Sequence, residues 1–215
     1  MKKWTAILCT VLMICLAATA FAEVPASNLY KPNTPETLKA VVGGKTFEAK
    51  ITGLNSTGED EDAKFQVTLT ICERDRFDPA ILESLAEHDI LCFGDGTVAV
   101  VSEVISDDFG YTVKGSNNDA YSFFKAEDGA AYIASTDTDF PFYTDVLTVT
   151  VPLEKDIRFL DWSDPENLEA PVERGYDELI AQIQEGTDFA PYNTQVTFDG
   201  NGKLTELLYN YSPFN

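Results

Sequence analysis

From residue 64 to residue 72 apolar and polar side chains alternate, with Phe65, Val67, Leu69 and Ile71 on one side and Lys64, Gln66, Thr68 and Thr70 on the other. A period of two places successive side chains on opposite faces of a pleated strand, so this segment reads as a strand with one buried face. Residues 38–42 and 45–54 read as two strands about a tight Gly43-Gly44 turn. Residues 90–93, 97–105 and 111–114 form another group, separated by Gly94-Asp95-Gly96 and by the polar stretch 106–110. A hairpin is expected at 121–126 and 130–135 around Glu127-Asp128-Gly129, and a further strand at 144–151 with Pro152 as its stop. The chain closes on a hairpin, 195–198 and 203–211, turning at Asp199-Gly200-Asn201-Gly202.

Two segments break this period. Asp78 and Pro79 supply a cap and a first helical residue, with Phe77 and Leu82 placed to staple the turn, which predicts a short helix ending near His88. Tyr176, Leu179, Ile180 and Ile183 recur at helical spacing, and Gly186 is a natural C-terminal stop. The stretch 159–171, rich in Asp, Glu and Pro, reads as a long loop. The fold class is therefore mostly β, an antiparallel barrel or sandwich of about ten strands with two short helices.

Residues 1–22 fit neither pattern. Lys2 and Lys3, an apolar run without charge, and the small-x-small sequence Ala20-Phe21-Ala22 are the three parts of a secretory signal peptide. Residues 23–36, rich in Pro, Ser and Asn, are expected to be a mobile leader, and 37–215 a single β-rich domain. The expected location is secreted or extracytoplasmic, without membrane attachment after cleavage.

The chain carries 15 Lys and Arg against 36 Asp and Glu, a formal charge of −21. Losing Lys2 and Lys3 with the signal makes it more negative still. Such a surface repels phosphate, and no Lys/Arg cluster exists to offset it, so nucleic acid is not an expected partner. Of the four cysteines, only Cys72 and Cys92 lie beyond residue 22. In an exported chain they are expected to form a disulfide, closing a loop of about twenty residues and contributing about 3 kcal/mol.

Recognisable catalytic chemistry is sparse. His88 is the one histidine, and there is no Gly-x-Ser-x-Gly, phosphate-cradling glycine loop or Cys-x-x-Cys. A paired-carboxylate glycoside hydrolase stays open because the chain is so acidic. Asp161, Asp164 and Glu166 are candidate ligands for calcium, which takes hard oxygen donors and would make this a calcium-stabilised structural module. Trp162, set among polar residues, is the candidate ligand-binding aromatic. By elimination the leading expectation is a non-catalytic domain that binds an extracellular protein or glycan.

Overall fold

The structure is a computed structural model and describes residues 35–58, 64–136, 140–163 and 169–210. Within them the chain is mostly β, as the alternation predicts. In order the elements are α1 (Pro35–Val42), β1 (Thr46–Thr57), β2 (Lys64–Arg74), β3 (Arg76–Phe77), α2 (Pro79–Ser84), β4 (Ile90–Cys92), β5 (Val98–Ser106) and β6 (Gly110–Gly115). They continue as β7 (Ala120–Lys125), β8 (Tyr132–Thr136), β9 (Tyr143–Leu153), β10 (Arg158–Asp161), β11 (Val172–Arg174), α3 (Tyr176–Glu185), β12 (Thr194–Phe198) and β13 (Leu204–Tyr209). No described helix is long and apolar enough to cross a membrane.

The strands form two open, largely antiparallel sheets. The first has seven strands in the order β11-β10-β13-β12-β1-β2-β9, and the second six in the order β3-β8-β7-β6-β5-β4. Its position in the chain explains the arrangement. β2 and β9 are neighbours in the first sheet, paired from Phe65 opposite Leu153 to Arg74 opposite Tyr143. The whole second sheet is built between them.

Each sheet buries its own cluster. In β2 the alternation places Val67, Leu69 and Ile71 in the first core, together with Phe159, Phe198, Leu204 and Leu207. The opposite face carries hydroxyl pairs, Thr68 with Thr150 and Thr70 with Thr148, each at 3.0 Å. Helix α3 lies over this core with Leu179 and Ile180 buried, and Gly186 ends it in the left-handed region at φ 83°. The second core is aromatic: Phe93 stacks on Phe142 at 4.1 Å and on Tyr121 at 4.9 Å, while Phe77 meets Phe123 edge-on at 5.1 Å. Offset and edge-on rings add to the burial that holds this small cluster together.

Four local readings change. Residues 38–42 belong to helix α1 and not to a hairpin, and the helix starts two residues inside the expected leader. Pro35 suits a first helical turn, and Leu38, Val41 and Val42, at helical spacing, meet the first core. Gly43-Gly44 ends this helix; a Cβ at Gly43 would lie 2.4 Å from the Lys39 carbonyl oxygen. Helix α2 has the expected cap, Asp78 accepting from the Ala80 amide at 2.8 Å, but stops at Ser84. His88 therefore lies beyond the helix, exposed and at φ 77°. Pro152 does not stop β9, because β9 is an end strand where a missing N–H is tolerated. Within the expected loop 159–171, β10 extends to Asp161, and β11 begins directly after it; β10 pairs in parallel with β13.

Candidate functional site

The crossing between the sheets is organised by one buried carboxylate. Asp75, between β2 and β3, accepts from the Gly94 amide at 2.5 Å and from the Thr144 hydroxyl at 2.6 Å. Its own amide donates to the Phe142 carbonyl at 2.8 Å, and its carbonyl accepts from Ala134 at 3.2 Å. Four contacts to three segments, around Gly94, Ala134 and Phe142–Thr144, fix where the second sheet leaves the first. Gly94 is required at this point: an added Cβ would fall 1.9 Å from the Thr144 hydroxyl.

Two clefts flank the crossing. One, of about 880 Å³, is lined by Phe47, Glu48, Cys72, Arg74, Arg76 and Asp128 among others. The other, of about 530 Å³, is shared by Arg74, Arg76, Phe77, Ile81 and Cys92. Both arginines are already engaged. Arg74 Nε donates to the two Glu48 carboxylate oxygens at 3.0 and 3.1 Å, and Arg76 pairs with Asp128 at 2.5 Å. Hydrogen bonds from the Ala130 amide and from Arg76 hold the Asp128 carboxyl below its ordinary range.

Two nucleophilic groups near the crossing, Cys72 and Tyr143, are held neutral. Burial, followed by the nearby Asp145 carboxylate, pushes the Cys72 thiol up to about 12. Burial and Glu48 push the Tyr143 hydroxyl up to about 12 as well. A reactive thiol needs the opposite environment, exposed and electropositive. His88 stands 3.9 Å from Glu87 with its side chain 82% exposed.

The expected disulfide is not present: Cys72 and Cys92 are both free. Cys72 is buried on β2 of the first sheet, where its thiol donates to the Thr70 carbonyl at 3.4 Å. Cys92 is exposed on β4, at the far edge of the second sheet. Alkylation of the chain from residue 23 onward is therefore expected to label Cys92 in the native state and Cys72 only after unfolding, read by mass spectrometry of the digested protein. Equal native labelling of both would contradict these positions.

Asp161 is buried at the end of β10 and spends its oxygens on the protein. It accepts from Arg174 at 2.6 Å, from the Ser163 amide at 2.8 Å and from Gln182 at 3.3 Å. Burial pushes this carboxyl up, yet the hydrogen bonds from Ser163, Arg174 and Gln182 outweigh it and the group lies below its ordinary range. Asp164 and Glu166, the other expected calcium ligands, lie outside the described residues. Trp162 is half-buried, its amide donating to the Tyr209 carbonyl at 2.9 Å, and it lines neither cleft.

What sequence reasoning missed is the outer face of β4 and β5. Ile90 pairs with Val100 and Cys92 with Val98. Leu91 and Ala99 between them point into the aromatic core and are buried. The alternate set points outward: Ile90 is 65% exposed, Val98 57% and Val100 38%. Cys92, in the same row, also lines the smaller cleft next to Ile81. This apolar ledge sits at the end of the sheet. The signal was legible, since 90–93 and 98–101 are uninterrupted apolar runs rather than alternations, and such runs leave both faces of a strand apolar.

Comparison of the chain with protein-family models, curated proteins and solved structures gave no match.

Proposed function

We propose that this is an exported, non-catalytic β protein that docks another protein through the outer face of β4 and β5. One observation carries the reading: an aliphatic row of Ile90, Val98 and Val100 is open to solvent on a chain otherwise crowded with carboxylates. Isolated exposed aliphatics are ordinary on any surface, whereas a contiguous apolar patch marks a contact site. Aliphatic side chains suit a protein surface better than a sugar, which calls for stacked aromatic rings and polar groups. Trp162, the aromatic expected to bind a protein or glycan ligand, lies outside both clefts. The neutral state of Cys72 and Tyr143 favours binding over covalent catalysis.

The test compares the chain from residue 23 onward with its Ile90→Ser/Val98→Ser/Val100→Ser variant. Each is immobilised and offered extracellular proteins of the source cells and, separately, a glycan panel. A discrete protein is expected to be retained by the unaltered chain and lost by the variant, at least about tenfold in affinity once purified. Glycan binding, or equal retention by both chains, would sink the reading.

A further inference from the structure

We infer that the docked segment adds to the second sheet as an extra strand beside β4, and that it is a basic, extended stretch of a protein partner with alternating aliphatic residues. This inference rests on the docking role of the β4–β5 face. β4 is the last strand of its sheet, with no described strand on its outer side. The direction of its backbone groups follows from its contacts with β5. The Asp89 carbonyl accepts from the Val101 amide at 2.8 Å and the Phe93 amide donates to the Thr97 carbonyl at 2.9 Å. Residues 89, 91 and 93 therefore turn their peptide groups toward β5. Alternation along an extended strand turns those of Ile90 and Cys92 toward the open side. These are the groups that an added strand pairs with.

The other ends of the two sheets are blunted. β9 carries Pro152, β3 is two residues long, and β11 is three residues long with Arg174 tied to Asp161. Proline, charge and shortness are the usual protections of a sheet edge. β4 is also three residues long, but it alone presents a free aliphatic row beside its edge.

Charge selects the occupant. From Phe77 to Val113 the sequence holds eight carboxylates and no Lys or Arg. Glu87 and Asp89 immediately precede β4, and Asp95 follows it. A second copy of the chain would bring the same carboxylates against these, on a molecule of charge −21. Like charges across such a contact oppose it, and a lysine- or arginine-flanked strand relieves the repulsion. The aliphatic positions of that strand would continue the row formed by Ile90 and Cys92.

The probe is a synthetic peptide of alternating valine and threonine with paired lysines at both ends, compared with a twin ending in paired glutamates. Binding to the chain from residue 23 onward is followed by fluorescence anisotropy at low and high salt. The lysine peptide is expected to bind at least about tenfold more tightly than the glutamate twin, with the difference shrinking as salt rises. Cys92→Pro removes an N–H facing the open side and no described sheet hydrogen bond, so it is expected to weaken the lysine peptide about tenfold or more. Cys92→Ser is expected to bind within about twofold of the unaltered chain.

Failure of the lysine peptide to bind, equal binding of the twins, or full binding by a folded Cys92→Pro variant overturns the inference. So does sedimentation of the unaltered chain as a dimer that Cys92→Pro dissociates, which would assign the edge to a second copy. The two readings fail separately. If the serine triple variant loses the natural partner while Cys92→Pro retains it, strand addition falls and docking through the side chains stands.

Discussion

Replacing Arg174 with Met is expected to lower the unfolding free energy by about 2–4 kcal/mol, measured by urea titration. Asp161 has a fully buried side chain, and Arg174 supplies its one cationic partner among the described residues, at 2.6 Å. Removing the guanidinium strands a charge in the apolar edge of the first core, and breaking one side of a buried pair costs about 3–5 kcal/mol when nothing else holds the survivor. Ser163 and Gln182 continue to donate to it, which places the expected loss toward the lower end. The pH dependence carries the same sign. The folded-state Asp161 carboxyl lies below its ordinary range, so its stabilising contribution is complete above roughly pH 4 and is lost as pH falls further. The stability gap between the unaltered chain and Arg174→Met is therefore expected to close in acid. A gap that is small at neutral pH, or that widens in acid, would contradict this account of the pair.

Asp75→Ala is the second large effect, expected at about 2–4 kcal/mol. The substitution leaves the Gly94 amide and the Thr144 hydroxyl without their charged acceptor at a half-buried crossing. Hydrogen bonds to a charged acceptor contribute about 1.5–3 kcal/mol each, and solvent in the adjoining cleft, which Gly94 and Thr144 also line, recovers part of the loss. Asp75→Asn keeps one carbonyl acceptor and is expected to recover part of the loss. Gly94→Ala should fail at the same point for a steric reason, its Cβ colliding with Thr144 and Asp75. The consequence reaches the ledge, because Phe93, next to Gly94, anchors the end of β4 in the aromatic core. Loosening this crossing should weaken docking even though no contact residue is altered. A melting midpoint for Asp75→Ala within a degree or so of the unaltered chain would show that the crossing is held by other means.

The pattern of the sequence carried most of the β structure. Strict alternation in β2, the turn at Glu127-Asp128-Gly129 and the Gly186 stop all translate directly into local geometry, because each depends on neighbours within a few residues. The readings that changed depend on partners far along the chain. Residues 38–42 are a helix because Leu38, Val41 and Val42 meet a core that joins β1 and β2 to β9, β10, β12 and β13, strands that come about a hundred residues later or more. Pro152 is tolerated because β9 is an end strand, a property of sheet order that local pattern does not contain. The disulfide expectation followed from compartment and count, whereas bonding requires the two thiols to meet. β2 and β4 lie in different sheets and keep them free.

The candidate site was half legible for a related reason. Uninterrupted apolar runs at 90–93 and 98–101 announce strands apolar on both faces, and either a second buried face or an exposed ledge satisfies that pattern. Only sheet order decides between them, by leaving β4 at the end with nothing described over its outer side. Asp161 illustrates the converse. Its acidic neighbourhood in sequence suggested a cation site, but the distant Arg174 and Gln182 converge on it as protein partners.

The most direct test of the docking surface is amide hydrogen exchange of the chain from residue 23 onward, free and saturated with the captured protein. The account predicts new protection confined to the segment 88–101, strongest at the amides of Ile90 and Cys92, and none at Trp162. Protection around Trp162 or within the larger cleft, with exchange at 88–101 unchanged, would contradict it.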